Sequence, residues 1–252
     1  MGDAAFLGRL AYIRTVRSMN RIFLTAEWRT LAMLNYAIDP AILRPFVPAG
    51  TELDSYQGVT HASVVGFRFL ATRVYGIAFP FHRDFDEVNL RFYVRRKAGS
   101  EWRRGVVFIR EMVPRPAIAF IARAFYGEPY RALPMRHDIR FTDSQIHAEY
   151  RWRRAGRWES LRVSGNGEPQ AIEAGSEEEF ITEHYWGYTD RRGRCSEYEV
   201  RHPRWRVWRG VESRLDADIA TLYGPEFVES LSAAPVSAFI AEGSQVEVLA
   251  AS

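Results

Sequence analysis

Short apolar runs with a period of two, separated by turn-forming residues, dominate the chain and predict a mainly β protein. Thr60–Leu70 is rich in strand formers, and Val88, Leu90, Phe92 and Val94 alternate strictly with Asn89, Arg91 and Tyr93. Gly105–Arg110 follows a polar turn around Lys97 and is expected to pair back on the Val88–Val94 run as a hairpin. Ile146–Trp152 and Trp158–Val163 flank Arg154–Arg157, a second expected hairpin. Trp205–Val211 and Val246–Leu249 read as further strands.

Helical signals are few. Asp39–Val47 looks like a short N-capped helix with Pro40 in its first turn. Glu177–His184 begins with acids, which suit a helix dipole, and Pro114–Tyr126 has prolines at its start and Gly127 just past its end. Gly165–Pro169 is the best linker candidate, but strands lie on both sides and the composition does not change. One domain over residues 19–252 is therefore expected. Residues 1–18 read as an amphipathic extension, for which a transit peptide is the alternative.

Lys97 is the only lysine in 252 residues, against 33 arginines. A lysine amine can lose its proton and form an imine; a guanidinium stays charged and only binds or stabilises. Because Lys97 lies in a polar turn, amine catalysis is close to excluded. The net charge of +3 suits a soluble protein and does not point to a nucleic-acid partner. One cysteine, Cys195, cannot form an internal disulfide and fits a reducing cytoplasm. Six histidines without metal-ligand spacing give no metal site, and no cofactor is expected. No uncharged apolar run approaches the roughly 18 residues that span a bilayer, so no membrane span is expected. An oligomer is left open.

Candidate chemistry concentrates in two runs. On the Val88–Val94 strand, Glu87, Asn89, Arg91 and Tyr93 share the face opposite the apolar one. They can line a polar cavity or form the wet face of a surface strand, and the pattern alone favours the wet face. Further on, Gly127 and Pro129 fix the exit of the expected helix and present Tyr130 and Arg131, although a plain helix stop explains the same residues. His184, Tyr185, Tyr188 and His202 form a late aromatic cluster, in which a lone histidine reads more readily as a satisfied, half-buried residue.

These runs carry a resemblance. Arg29, Asp39–Pro48, Glu87–Val94 and Arg123–Arg131 occur in the order and spacing seen in the acetoacetate decarboxylase-like superfamily. The chain is similar, over roughly residues 20 to 250, to its bacterial YqjF-like branch of unknown function, through Trp28–Leu31, Pro48–Asp54, Glu87–Arg95 and Phe125–Tyr130. The resemblance implies an antiparallel β-barrel with a central pocket and a few helices. It also implies that Arg29 and Glu87 hold the positions of the decarboxylase's pocket arginine and glutamate. Where the decarboxylase has Pro-Lys-Lys, this chain has Pro129, Tyr130 and Arg131. Neither a phenol nor a guanidinium replaces the imine-forming amine, so that mechanism does not carry over.

The expected function is a small-molecule binding protein, or an enzyme that works without a Schiff base, taking a small carboxylate or oxo acid. Arg29 and Arg91 would clamp the carboxylate. Glu87 and Tyr130 are the catalytic candidates, and Asn89, Arg131 and His202 complete the pocket. The alternatives are a pseudoenzyme that keeps the barrel for structure or partner binding, with Glu87 and an arginine as a merely structural pair, and a polyanion-binding surface built from the arginine–tryptophan stretches 151–158 and 201–209.

Overall fold

The structure, a computed structural model, describes residues 22–78, 82–116, 129–191 and 193–250. The extension over residues 1–18 and most of the helix expected at Pro114–Tyr126 lie outside these described residues.

Fourteen strands form the body: β1 (Ile22–Ala37), β2 (Glu52–Leu53), β3 (His61–Val74), β4 (Phe85–Ala98), β5 (Glu101–Val113), β6 (Tyr130–Ala132), β7 (Met135–Phe141), β8 (Gln145–Arg154), β9 (Arg157–Asn166), β10 (Gln170–Ala171), β11 (Trp186–Asp190), β12 (Cys195–Arg201), β13 (Arg206–Asp216) and β14 (Ser237–Leu249). The fold is mainly β, as expected. The order β1-β3-β4-β5-β11-β12-β14 closes into a ring because β14 also pairs with β1. From β14 the sheet continues through β13, β9, β8 and β7, which make an outer layer. Pairing is antiparallel except where β5 meets β11 and β6.

The helices expected at Asp39–Val47 and Glu177–His184 are short and capped as their sequences imply. Asp39 accepts from the Ala41 amide ahead of α1 (Pro40–Leu43), and Ser176 accepts from the Glu179 amide ahead of α2 (Glu177–Thr182). Gly165–Pro169 is no break, since β9 before it pairs with β13 after it. Among the described residues, no helix is long and apolar enough to cross a membrane.

The longest strand, β1, is among those the pattern left unassigned. Its second half, Leu31–Leu34, is a continuous apolar run buried on both faces, and such a run has no two-residue period. Between Arg29 and Ala32 the β1–β3 register shifts, and Thr30 takes a left-handed φ of 55°. This bulge returns Leu31 to the same interior as Trp28, three residues earlier, where regular alternation would turn it outward. Opposite lies Gly243, with φ of 79°; a Cβ there would fall 1.9 Å from the Trp28 carbonyl oxygen. Only glycine lets β14 approach the bulge so closely.

Two apolar layers result. Outside the ring, Val64, Val88, Leu90, Phe92 and Val94 share a core with Tyr150, Trp152 and Leu161 of the outer layer. Inside it, Leu31, Val65, Phe67, Phe69, Phe85, Val106 and Trp205 form a second core, which leaves a cavity.

Candidate functional site

Adjacent strands build the polar wall of this cavity. Val65, Asn89, Glu111 and Tyr130 are successive partners on β3, β4, β5 and β6. Residues opposite one another in neighbouring strands project from the same face of the sheet, and this face is the inner one. Glu87 and Arg91 join from two residues either side of Asn89. The cavity measures about 230 Å³. Its remaining lining is mostly apolar, with Trp28 edge-on to Phe67 and Phe69 (5.3 and 5.7 Å) and Phe69 stacked on Phe85 (4.6 Å). The polar face of β4 is therefore not wet: Glu87 and Asn89 are each only 2% exposed.

Glu87 is held from both sides. Its Oε2 accepts from the Tyr130 hydroxyl and its Oε1 from Asn89 Nδ2, both at 3.0 Å. Burial pushes the carboxyl up to about 7, against the opposing pull of these two hydrogen bonds and of the Arg91 charge. The Tyr130 phenol is raised well above its ordinary range, first by desolvation and then by Glu111 and Glu87, with Glu111 also hydrogen-bonded to it. A carboxyl poised near neutrality beside a phenol can take or give a proton at physiological pH.

Farther round the wall, His184 lies against Tyr93 and Phe180, with ring centroids 4.7 and 5.0 Å away. Its Nε2 sits 3.4 Å from Asp54 Oδ2, ion-pair distance without hydrogen-bond alignment. Arg104 Nε donates to the same carboxylate oxygen at 2.7 Å. Burial, helped by Arg104 and Arg91, depresses His184 to about 4 despite Asp54. Burial would raise Asp54, but His184 and Arg104 outweigh it and hold it at about 2. His202 stacks on Trp205 at 4.1 Å, gives its Nδ1 to the Pro203 carbonyl oxygen at 3.0 Å, and is also lowered to about 4, chiefly by burial. Both histidines are thus neutral at pH 7.

Of the residues singled out by sequence, Glu87, Asn89, Arg91, Tyr130 and His202 converge on the cavity. Arg29 and Arg131 do not. Arg29 neighbours the inward-facing Trp28 and so points away; its Nη2 and Nε bind Glu27 Oε2 at 2.9 and 3.0 Å, and its side chain is 42% exposed. Arg131 alternates with Tyr130 on β6 and is exposed. The two-arginine clamp is therefore corrected to one cavity guanidinium, Arg91. Lys97 is exposed opposite Trp102 at the end of the β4–β5 hairpin, away from the cavity.

The arginine–tryptophan stretches are drawn into the fold. Trp152 is fully buried and donates to Glu159 at 2.7 Å, Trp205 lines the cavity, and Arg151, Arg154 and Arg157 pair with Glu149, Glu159 and Asp216. Sequence reasoning missed Glu111, and it did not connect His184 with Asp54. Glu111 was findable only from the register that sets it opposite Asn89, which the β5 pattern does not print. Among the described residues, no cluster of three or more His, Cys, Asp or Glu side chains could hold a metal ion.

Comparisons with known proteins agree with this architecture. The model of DUF2071, an uncharacterized conserved protein family, matches residues 25–245. The uncharacterized protein YqjF of Bacillus subtilis is 26% identical over 207 residues, 77% of this chain and 78% of that protein. Acetoacetate decarboxylase from Legionella pneumophila superposes with a TM-score of 0.60 at 13% identity, covering 90% of this chain and 85% of that one. The enduracididine biosynthesis enzyme MppR, in complex with pyruvate, gives 0.62 at 14% identity, covering 90% and 88%. These likenesses to solved structures establish an acetoacetate decarboxylase-like fold.

Proposed function

The chain belongs to the DUF2071 family, and from the cavity its fold encloses we propose that it binds a small molecule with a largely apolar body and moves a proton on it without forming an imine. Glu87 is the acid–base group and Tyr130 its hydrogen-bond partner. The observation that carries this reading is the buried Glu87–Tyr130 hydrogen bond on the cavity wall, with a carboxyl poised at about 7. An imine has no source, because the chain's one lysine is exposed at the end of a hairpin.

A carbonyl compound is the natural substrate for such a pair. Glu87 would take a proton from the carbon beside the carbonyl, and a neighbouring donor would hold the oxygen as charge builds on it. The pyruvate-bound structure of MppR supports an oxo compound. The small carboxylate expected from sequence keeps, among the described residues, only Arg91 as its cavity cation. A reducing cytoplasm, suited to the single Cys195, belongs to the same proposal.

The test is exchange of carbon-bound hydrogen for deuterium, followed by NMR, across a panel of ketones and oxo acids. The wild type should accelerate exchange for at least one compound, and Glu87→Gln should lower that rate by roughly 100-fold or more. Borohydride should trap no adduct; an adduct on Lys97 overturns the imine-free mechanism. A wild type no faster than buffer overturns catalysis and leaves a pseudoenzyme.

A further inference from the structure

Four polar groups around the cavity have unmatched hydrogen-bonding atoms, and together they constrain what fits. Asn89 gives its Nδ2 to Glu87, which leaves its buried Oδ1 without a partner among the described residues. His184 is neutral, and neither of its buried ring nitrogens has a hydrogen-bond partner among the described residues; with its one proton on Nε2, turned towards the Asp54 carboxylate 3.4 Å away, Nδ1 is an acceptor. Arg91 donates one Nη2 hydrogen bond to the Ile181 carbonyl oxygen at 3.2 Å, while its buried Nε is an unmatched donor. Trp28 Nε1 is a second unmatched donor, on the aromatic side. A buried polar atom left unmatched is costly, so a molecule that matches these atoms recovers that cost on binding.

We infer that the molecule taken by the cavity is neutral and hydroxylated: besides the reacting carbonyl it carries, on an aromatic or alkyl body, a hydroxyl that donates to Asn89 or His184 and accepts from Arg91, so that a simple alcohol reports on the hydroxyl subsite. This rests on the small-molecule reading above and names its ligand class. A carboxylate only accepts: it would satisfy Arg91 while setting its charge against Asn89 Oδ1, His184 Nδ1 and the buried Glu87 and Glu111 carboxyls. An ammonium only donates: it would satisfy the two acceptors while facing the Arg91 cation. A hydroxyl does both and carries no charge to desolvate. The volume agrees. A dry cavity of about 150 Å³ holds benzene, so about 230 Å³ has room for a ring with a short hydroxylated arm.

Four probes on one body separate the classes: phenethyl alcohol, phenethylamine, phenylacetate and ethylbenzene, titrated calorimetrically into the full-length protein. Phenethyl alcohol should bind about tenfold or more tightly than each of the other three. His184→Phe keeps an aromatic ring against Tyr93 and Phe180 and removes the acceptor. It should weaken phenethyl alcohol by about tenfold and leave ethylbenzene unchanged. Should phenylacetate or phenethylamine bind as tightly as the alcohol, the ligand class is overturned while the binding cavity stands. If none of the four binds, ethylbenzene included, the small-molecule reading itself falls. His184→Phe that weakens alcohol and ethylbenzene alike overturns the role of the acceptor.

Discussion

The two faces of β4 are both buried around Asn89 and entirely different. On the outer face Val88, Leu90, Phe92 and Val94 are each 0% exposed, packed into a core with the outer layer. On the inner face Glu87 and Asn89 are each 2% exposed, yet they border the cavity, and Asn89 Oδ1 has no hydrogen-bond partner among the described residues. Burial alone therefore does not separate a core from a site. The distinction lies in whether each group finds its partner within the fold. On the outer face the four side chains of β4 are apolar and pack on apolar neighbours, and the energy goes into stability. On the inner face the chain keeps a carboxyl where its charge is disfavoured and an amide oxygen with no partner among the described residues. Such an arrangement weakens the fold and makes sense if a ligand completes it.

The largest effect should come from breaking the outer face. Phe92→Ala removes a fully buried ring between close-packed layers and should cost about 3–5 kcal/mol in denaturant unfolding. A cost below about 1 kcal/mol would mean that the layer collapses easily or is loosely packed.

The inner face should respond in the opposite sense, and only above a certain pH. Burial raises Glu87 from 4.5 to about 7, so the folded state prefers the neutral acid. The stability this gives is fully present below about pH 4.5 and is lost as the pH rises through 7. Glu87→Gln has no charge to accommodate. Its stability relative to wild type should therefore climb across that window and level off above it, by on the order of 3 kcal/mol. Parallel unfolding curves from about pH 5 to pH 8 measure the difference directly. A flat difference would show that the wall does not exclude the Glu87 charge.

This contrast also explains what the sequence could and could not reveal. Strict alternation in Val88–Val94 located the strand and its two faces, and the turn signals located both hairpins. The same pattern favoured a wet inner face, because charged side chains are usually exposed and a single strand does not record what lies across the ring from it. Glu87 and Tyr130 were recognisable from the family's phrases. Arg29 was misplaced for a local reason: the spacing from Arg29 to Glu87 says nothing about the bulge at Thr30 or about Trp28 taking the inward position. Glu111 and His184 come from separate elements, and only the closing of the ring brings them to one wall, with Asp54 behind His184. Long-range register, the property that makes the cavity, is the one that local periodicity cannot carry.

The smallest effect tests whether the outer layer can be altered without touching the inner face. The β8–β9 hairpin turns through Ala155 and Gly156, with φ of 47° and 83°. Both residues are left-handed, as a two-residue type I′ turn requires, and Asn-Gly is the pair that adopts this shape most readily. Alanine there holds its Cβ close to the following carbonyl oxygen, at a cost of roughly 1–2 kcal/mol. Asparagine tolerates the region better, because its short polar side chain bonds locally to the backbone. Ala155→Asn should therefore stabilise the protein by about 0.5–1 kcal/mol, a rise in Tm of roughly 1–4 °C for a chain of this size. The turn is exposed and far along the sheet from β4, so phenethyl alcohol should bind the variant as it binds the wild type. A change in that affinity would mean that the outer layer sets the shape of the cavity, and the two faces of β4 would have to be treated as one unit.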